Sequence, residues 1–100
     1  MSRNDAARDG VITVKLNSPF NELVGAKEVF IEVPKDGGET LTVGWAIDEV
    51  ARRTPVIRRL LTDRVQRKYF QYALNGKEVG ENCEIHEGDE VELYAPLMGG

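Results

Sequence analysis

Hydrophobic and polar residues alternate from Val11 to Leu16, where Ile12, Val14 and Leu16 are separated by Thr13 and Lys15. Successive strand side chains point to opposite faces, so this segment predicts a half-buried strand with Lys15 in water. The same period returns from Glu28 to Val33, with Val29, Ile31 and Val33 on one face and Pro34 closing the strand. Between the two, Pro19 and Gly25 frame a small apolar group of Phe20, Leu23 and Val24, which predicts a structured connection of about one helical turn. The run Lys35-Asp36-Gly37-Gly38 reads as a loop. No Gly-Lys-Ser or Gly-Lys-Thr follows it, so it lacks the signature of a phosphate-cradling loop.

The period then lengthens. Val43, Ile47 and Val50, with Ala46 and Ala51, form the i, i+3, i+4 stripe of a helix that packs on a sheet, with Thr42 as its N-cap and Trp45 off the stripe. Thr54-Pro55 repeats the helix-start signal, and Val56, Ile57, Leu60, Leu61 and Val65 supply a second stripe. Arg58, Arg59, Arg64 and Arg67 fall largely between those positions and read as a solvated face. Phe70 to Leu74 predicts a strand, Asn75-Gly76 a type I′ hairpin turn, and Lys77 to Val79 its short partner. After the turn at Glu87-Gly88-Asp89, a last strand runs from Glu90 to Ala95, with Val91, Leu93 and Ala95 on one face and Glu92 and Tyr94 on the other.

Two strands, a helical crossover and a return to strands predict an α+β domain with helices on one face of a mixed sheet. The most apolar strands, the first and the last, are expected at its centre, side by side and parallel. The expected core is Ile12, Val14, Val29, Ile31, Ile47, Val50, Leu60, Leu74, Val91 and Leu93, leaving Thr13, Lys15, Glu92 and Tyr94 on the uncovered face. Residues 1–10, with cancelling charges and no apolar period, are expected to be a flexible extension; 11–95 form the domain, and 96–100 a flexible tail.

Composition narrows the function. One hundred residues suit a single domain, and a hydrophobic content of 41% with 30% charged residues is ordinary for a globular one. Cys83 is the only cysteine and His86 the only histidine, which excludes an internal disulfide and a structural zinc site. No apolar run approaches the roughly 20 residues a membrane helix needs, and the N-terminus lacks a signal-peptide pattern, so no membrane partner and a cytoplasmic location are expected. The net charge of −4 is uneven, with seven basic and one acidic residue in 52–68 against one basic and seven acidic in 77–92. An acidic chain with one basic segment gains little from a phosphate backbone, so no nucleic-acid partner is expected.

The interior offers little chemistry. Cys83 and His86 are three residues apart in an acidic, turn-rich segment with no oxyanion-hole signature, so His86 reads as a surface histidine. Asp48 and Glu49 are adjacent on a helix and point apart. The unusual feature is the end of the chain, Ala95-Pro96-Leu97-Met98-Gly99-Gly100, a thin segment that closes on two glycines. Glycine lets a backbone enter a narrow slot and leaves its carboxylate open to attack.

From Val11 onward, the order and spacing of several motifs resemble the ubiquitin-like sulfur carriers of the β-grasp fold. These are the molybdopterin synthase small subunit (MoaD), the thiamine sulfur carrier (ThiS) and the small archaeal modifier proteins. The carrying residues are Asn21-Glu22-Leu23-Val24-Gly25, Thr42-Val43-Gly44, Leu74-Asn75-Gly76-Lys77-Glu78-Val79, Gly88-Asp89-Glu90-Val91 and the tail. The tail departs from the family's usual Pro-Pro with Ala95-Pro96 and from its small residue before Gly-Gly with Met98. The long segment after Pro55 makes the molybdopterin-type subunit the nearer relative.

The resemblance implies a carrier without turnover of its own, possessing no stably bound cofactor. A ubiquitin-activating-like adenylating enzyme of the MoeB/ThiF type would use ATP and magnesium to join the Gly100 carboxylate to AMP, and a sulfur donor would convert it to a thiocarboxylate. The tail would then enter a MoaE-type large subunit of molybdopterin synthase. Gly99 and Gly100 are thus the reactive positions, and Tyr94, Pro96, Leu97 and Met98 the partner-binding ones. Two alternatives stand beside this: a modifier joined to lysines through the same terminus, and an interaction domain without terminal chemistry.

Overall fold

The computed structural model describes residues 10–34 and 40–95. The chain runs through β1 (Val11–Leu16), α1 (Phe20–Val24), β2 (Glu28–Glu32), β3 (Leu41–Thr42), α2 (Val43–Arg53), α3 (Pro55–Thr62), α4 (Arg64–Arg67), β4 (Gln71–Leu74), β5 (Lys77–Val79), β6 (Glu84–Ile85) and β7 (Glu90–Tyr94). Five strands form one sheet in the order β2-β1-β7-β4-β5. The first and last strands lie side by side and parallel at its centre, with Thr13 opposite Glu90 and Leu16 opposite Leu93. The remaining pairs are antiparallel, and the β4–β5 turn carries Asn75 at φ 51° and Gly76 at φ 88°, both in the left-handed region a type I′ turn demands.

Alternation sorts the sheet into two faces. Ile12, Val14 and Leu16 of β1 and Val91 and Leu93 of β7 are buried against Ile47 and Val50 of α2 and Ile57 and Leu61 of α3. α2 starts where expected, its first turn held by Thr42 Oγ1 accepting from the Trp45 amide at 3.2 Å. At its end, Arg58 donates to the carbonyls of Ala51 and Arg52, satisfying groups that the helix leaves open.

Several expectations need correction. Val29, Leu60 and Leu74 border the core, half-buried: Val29 lies on the edge strand β2, Leu60 faces an open groove beside α1, and Leu74 ends β4. Phe20, Tyr72 and Ile85 are core residues that the short elements around them did not advertise. The second helix is broken at Asp63, whose carboxylate accepts from the Val65 and Gln66 amides and starts α4. Val65, beyond the break, and Val56, in the first turn of α3, fall off the apolar stripe and are 64% and 59% exposed. Leu41–Thr42 and Glu84–Ile85 pair as a separate two-stranded ribbon, too short to show a period. Gly10 is tied in rather than frayed, its carbonyl accepting from Val33 at 2.8 Å.

Arg67 is the largest departure. Arg58, Arg59 and Arg64 are exposed, whereas the Arg67 side chain is only 14% exposed. Its guanidinium donates to Glu81 at 3.0 Å and 3.2 Å, Asp48 at 2.9 Å, the Tyr72 hydroxyl at 3.2 Å, and the carbonyls of Leu61 and Gly44. Tyr72 in turn donates to Glu81 at 2.9 Å. A side chain at position 44 would place its Cβ 3.0 Å from Glu81 Oε1, so Gly44 admits the acceptor that completes the cluster. These bonds tie α4 to α2, β4 and the loop before β6.

Candidate functional site

The site begins where β7 ends. Its last ladder pair is Tyr94 with Gln71, and Ala95 is the final residue described. Pro96, Leu97, Met98, Gly99 and Gly100, the tail positions singled out in the sequence, lie outside the described residues, as do residues 1–9 of the predicted extension. Asn17 anchors the same end of the sheet, its amide side chain and its backbone N–H both donating to the Leu93 carbonyl at 3.2 Å.

On the face opposite the helices, alternation brings together Thr13, Lys15, Glu90, Glu92 and Tyr94, as predicted for all of these but Glu90. Lys15 pairs with Glu90 at 3.3 Å, and that hydrogen bond and charge, with Glu92 and Glu28 further off, hold its ammonium above the ordinary lysine range. The Tyr94 hydroxyl donates to Glu92 at 2.9 Å, which raises its pKa by favouring the protonated phenol. Tyr94 is half-buried, its ring lying on this face one residue before the tail leaves the domain.

On the helical side of the same end lies a feature without a sequence signal. An open groove of about 600 Å³ runs between α1 and the α3–α4 region, with Phe20, Leu60, Tyr69 and Phe70 around it and Ala95 at its edge. Phe20 and Phe70 meet edge to face, centroids 5.2 Å apart, whereas Tyr69 is 60% exposed. Among the described residues, Gln66 and the Tyr69 hydroxyl supply the polar groups of its wall. The groove is assembled from elements distant in sequence, which is why no local pattern announced it.

Elsewhere, Cys83 and His86 do not join. His86 Nε2 lies 3.1 Å from Glu84, and Cys83 Sγ lies 3.8 Å from the Glu84 carbonyl. Among the described residues no three His, Cys, Asp or Glu side chains converge as a metal site, and no helix is long and apolar enough to cross a membrane.

Among solved structures, SAMP1 of Haloferax volcanii superposes with a TM-score of 0.74 at 26% identity, covering 91% of this chain and 100% of that one. A putative molybdopterin converting factor, subunit 1, from Pyrococcus furiosus gives 0.67 at 26% identity, covering 87% and 98%. The chain has the ubiquitin-like β-grasp fold. Its structural neighbours are ubiquitin-like sulfur carriers and modifiers, the class the sequence resembles. One neighbour was solved in a complex of subunits 1 and 2 of the molybdopterin-converting factor from Helicobacter pylori; it matches in fold alone, with a TM-score of 0.54 at 16% identity over 90% of this chain and 99% of that one. No family model and no curated protein matches the sequence.

Proposed function

We propose that this β-grasp protein is a sulfur carrier whose Gly100 carboxylate is activated and converted to a thiocarboxylate, in the synthesis of a molybdopterin-type cofactor. The observation that carries the reading is the pairing of this fold with Gly99-Gly100 five residues beyond the end of its central strand β7. A bare carboxylate is a poor acyl donor. In the partner adenylating enzyme, of MoeB/ThiF type, a carboxylate oxygen attacks the α-phosphorus of ATP and magnesium pyrophosphate leaves. A sulfur donor then attacks the acyl carbon and AMP departs, leaving the thiocarboxylate. The chain contributes the substrate end and a docking surface, with Tyr94 beside the tail's root and Pro96, Leu97 and Met98 as the stem that enters the partner. A MoaE-type large subunit then receives the tail, and the likeness to molybdopterin converting factor subunit 1 supports this order.

The same activation can end in an isopeptide bond to a lysine, and the likeness to SAMP1, a small archaeal modifier protein, favours this as the second reading. One experiment separates them. After incubation with the adenylating enzyme, ATP, magnesium and sulfide, the intact mass should rise by the replacement of one oxygen with sulfur. A protein that gains no sulfur but appears on lysines of other proteins is a modifier. A protein that does neither is an interaction domain.

A further inference from the structure

The groove between α1 and the α3–α4 region has no part in the chemistry proposed above. Its volume of about 600 Å³ is that of a surface able to seat a ligand, and its lining is apolar. We propose that it docks an acidic amphipathic helix of a partner protein, with the helix's apolar stripe against Leu60, Tyr69 and Phe70 and its flanking carboxylates on Arg59, Arg64 and Lys68. The way the wall is built selects a helix. Phe20, Leu60 and Phe70 are apolar, Tyr69 is 60% exposed, and Gln66 and the Tyr69 hydroxyl supply the polar groups. The amides of Phe20, Tyr69 and Phe70 already donate to the carbonyls of Asn17, Gln66 and Arg67. An extended guest would thus set its own N–H and C=O groups against side chains that cannot pair them. A helix satisfies its backbone internally and presents only side chains.

Charge selects the acidic flanks. Arg59 directly precedes Leu60, Arg64 lies two residues before Gln66, and Lys68 directly precedes Tyr69. All three are exposed, and their side chains have no ion-pair or hydrogen-bond partner among the described residues. Arg58 and Arg67 differ, being engaged by the end of α2 and by Glu81. The carboxylates of the same elements are also engaged: Asp63 caps α4, and Glu22 accepts from Ser18. A guest with Asp and Glu along its edges therefore meets uncompensated cations, which speed its encounter and fix its register. A second copy of the chain matches less well. Groove against groove would oppose two sets of cations, and residues 77–92 are acidic but carry no large exposed apolar side chain to insert. Phe30, between Glu28 and Glu32, is 40% exposed and so already mostly covered.

The test needs neither the adenylating enzyme nor sulfur, so its outcome is independent of the sulfur-carrier reading. The full-length protein is offered a displayed library of helices about four turns long, with Leu, Ile, Met, Phe and Trp varied on one face and Glu on both flanks. Selected peptides, made synthetically, should shift the Tyr69 and Phe70 ring signals in the NMR spectrum of the protein and bind more weakly as salt is raised. Exchanging the flanking Glu for Lys should weaken binding about tenfold or more. Arg59→Glu or Lys68→Glu should weaken it about fivefold, whereas Lys77→Glu, the same charge change beside the hairpin turn at the other end of β4, should leave it unchanged. Tyr69→Ser, at an exposed rim, should cost about tenfold while the dispersed amide spectrum shows an intact fold. The proposal is overturned if the library yields no helix that moves those rings, if Lys-flanked peptides bind as well, or if Lys77→Glu costs as much as Arg59→Glu. It is also overturned if diluting the protein alone moves the same signals, which would assign the groove to a second copy. Binding to vesicles of phosphatidylcholine and phosphatidylglycerol in place of the peptides would overturn it in favour of an anionic membrane.

Discussion

Arg67 joins α4 to four other parts of the chain through one guanidinium, and only a planar, multidentate cation fits that set of acceptors. Its removal takes the donor from the Tyr72 hydroxyl and the cation from Glu81, which keeps the hydrogen bond from Tyr72. Arg67→Ala is expected to lower stability by about 2–4 kcal/mol, read from urea unfolding, with Arg67→Lys recovering only part of the loss. Tyr72 supplies a pH signature at the same place. Burial, reinforced by the hydrogen bond and charge of Glu81, pushes its phenol up to about 12, against about 10 in an unfolded chain. The folded state therefore holds a proton that the unfolded state has released, so this contribution is complete below pH 10 and is lost as pH rises through 12. Stability measured across that window should fall with pH in the native protein, and Tyr72→Phe should flatten the slope. An equal slope in both would place the alkaline loss elsewhere.

At the level of strands and helices, burial follows the periods closely wherever an element is long. β7 has neighbours on both sides, and Leu93 is fully buried between β1 and β4. Leu93→Ala should cost about 2–4 kcal/mol through lost burial and a residual cavity, visible as a lower thermal midpoint. The central parallel pair, the α2 stripe with its Thr42 cap, and the Asn75-Gly76 hairpin were all legible, because each is governed by residues within one or two turns of each other. The two-residue strands β3 and β6 were not, since a pair of residues carries no period. Neither was the break at Asp63, where a capping carboxylate overrode an apolar stripe that reads as continuous. Arg67 looked solvated for a related reason: helix spacing says which way it points but not that Glu81, fourteen residues on, folds back to meet it. Of the site, Tyr94's face was legible from alternation and the groove was not, because Phe20, Leu60, Tyr69 and Ala95 meet only in three dimensions.

On the proposed reading, what folds the protein and what it offers lie apart: the sheet and helices span residues 11–94, and Gly99-Gly100 would be the reactive end. Deleting Gly99 and Gly100 should leave the thermal midpoint unchanged and abolish ATP–pyrophosphate exchange by the adenylating enzyme; exchange that persists would remove the carrier reading. Tyr94→Ala should weaken binding to that enzyme by about 1–3 kcal/mol in titration calorimetry while shifting stability by clearly less. A variant that melts much earlier and binds normally would make Tyr94 structural. The parallel neighbours β1 and β7 also bear on how the molecule is made. The chain's first strand has its central partner at residues 90–93, so during synthesis β1 waits with one edge unpaired until nearly the end of the described chain has emerged. An interrupted product lacking β7 has no centre to its sheet and is left to proteolysis. Folding thus waits for the strand from which residues 96–100 continue, and the topology acts as a length check on the chain up to that point.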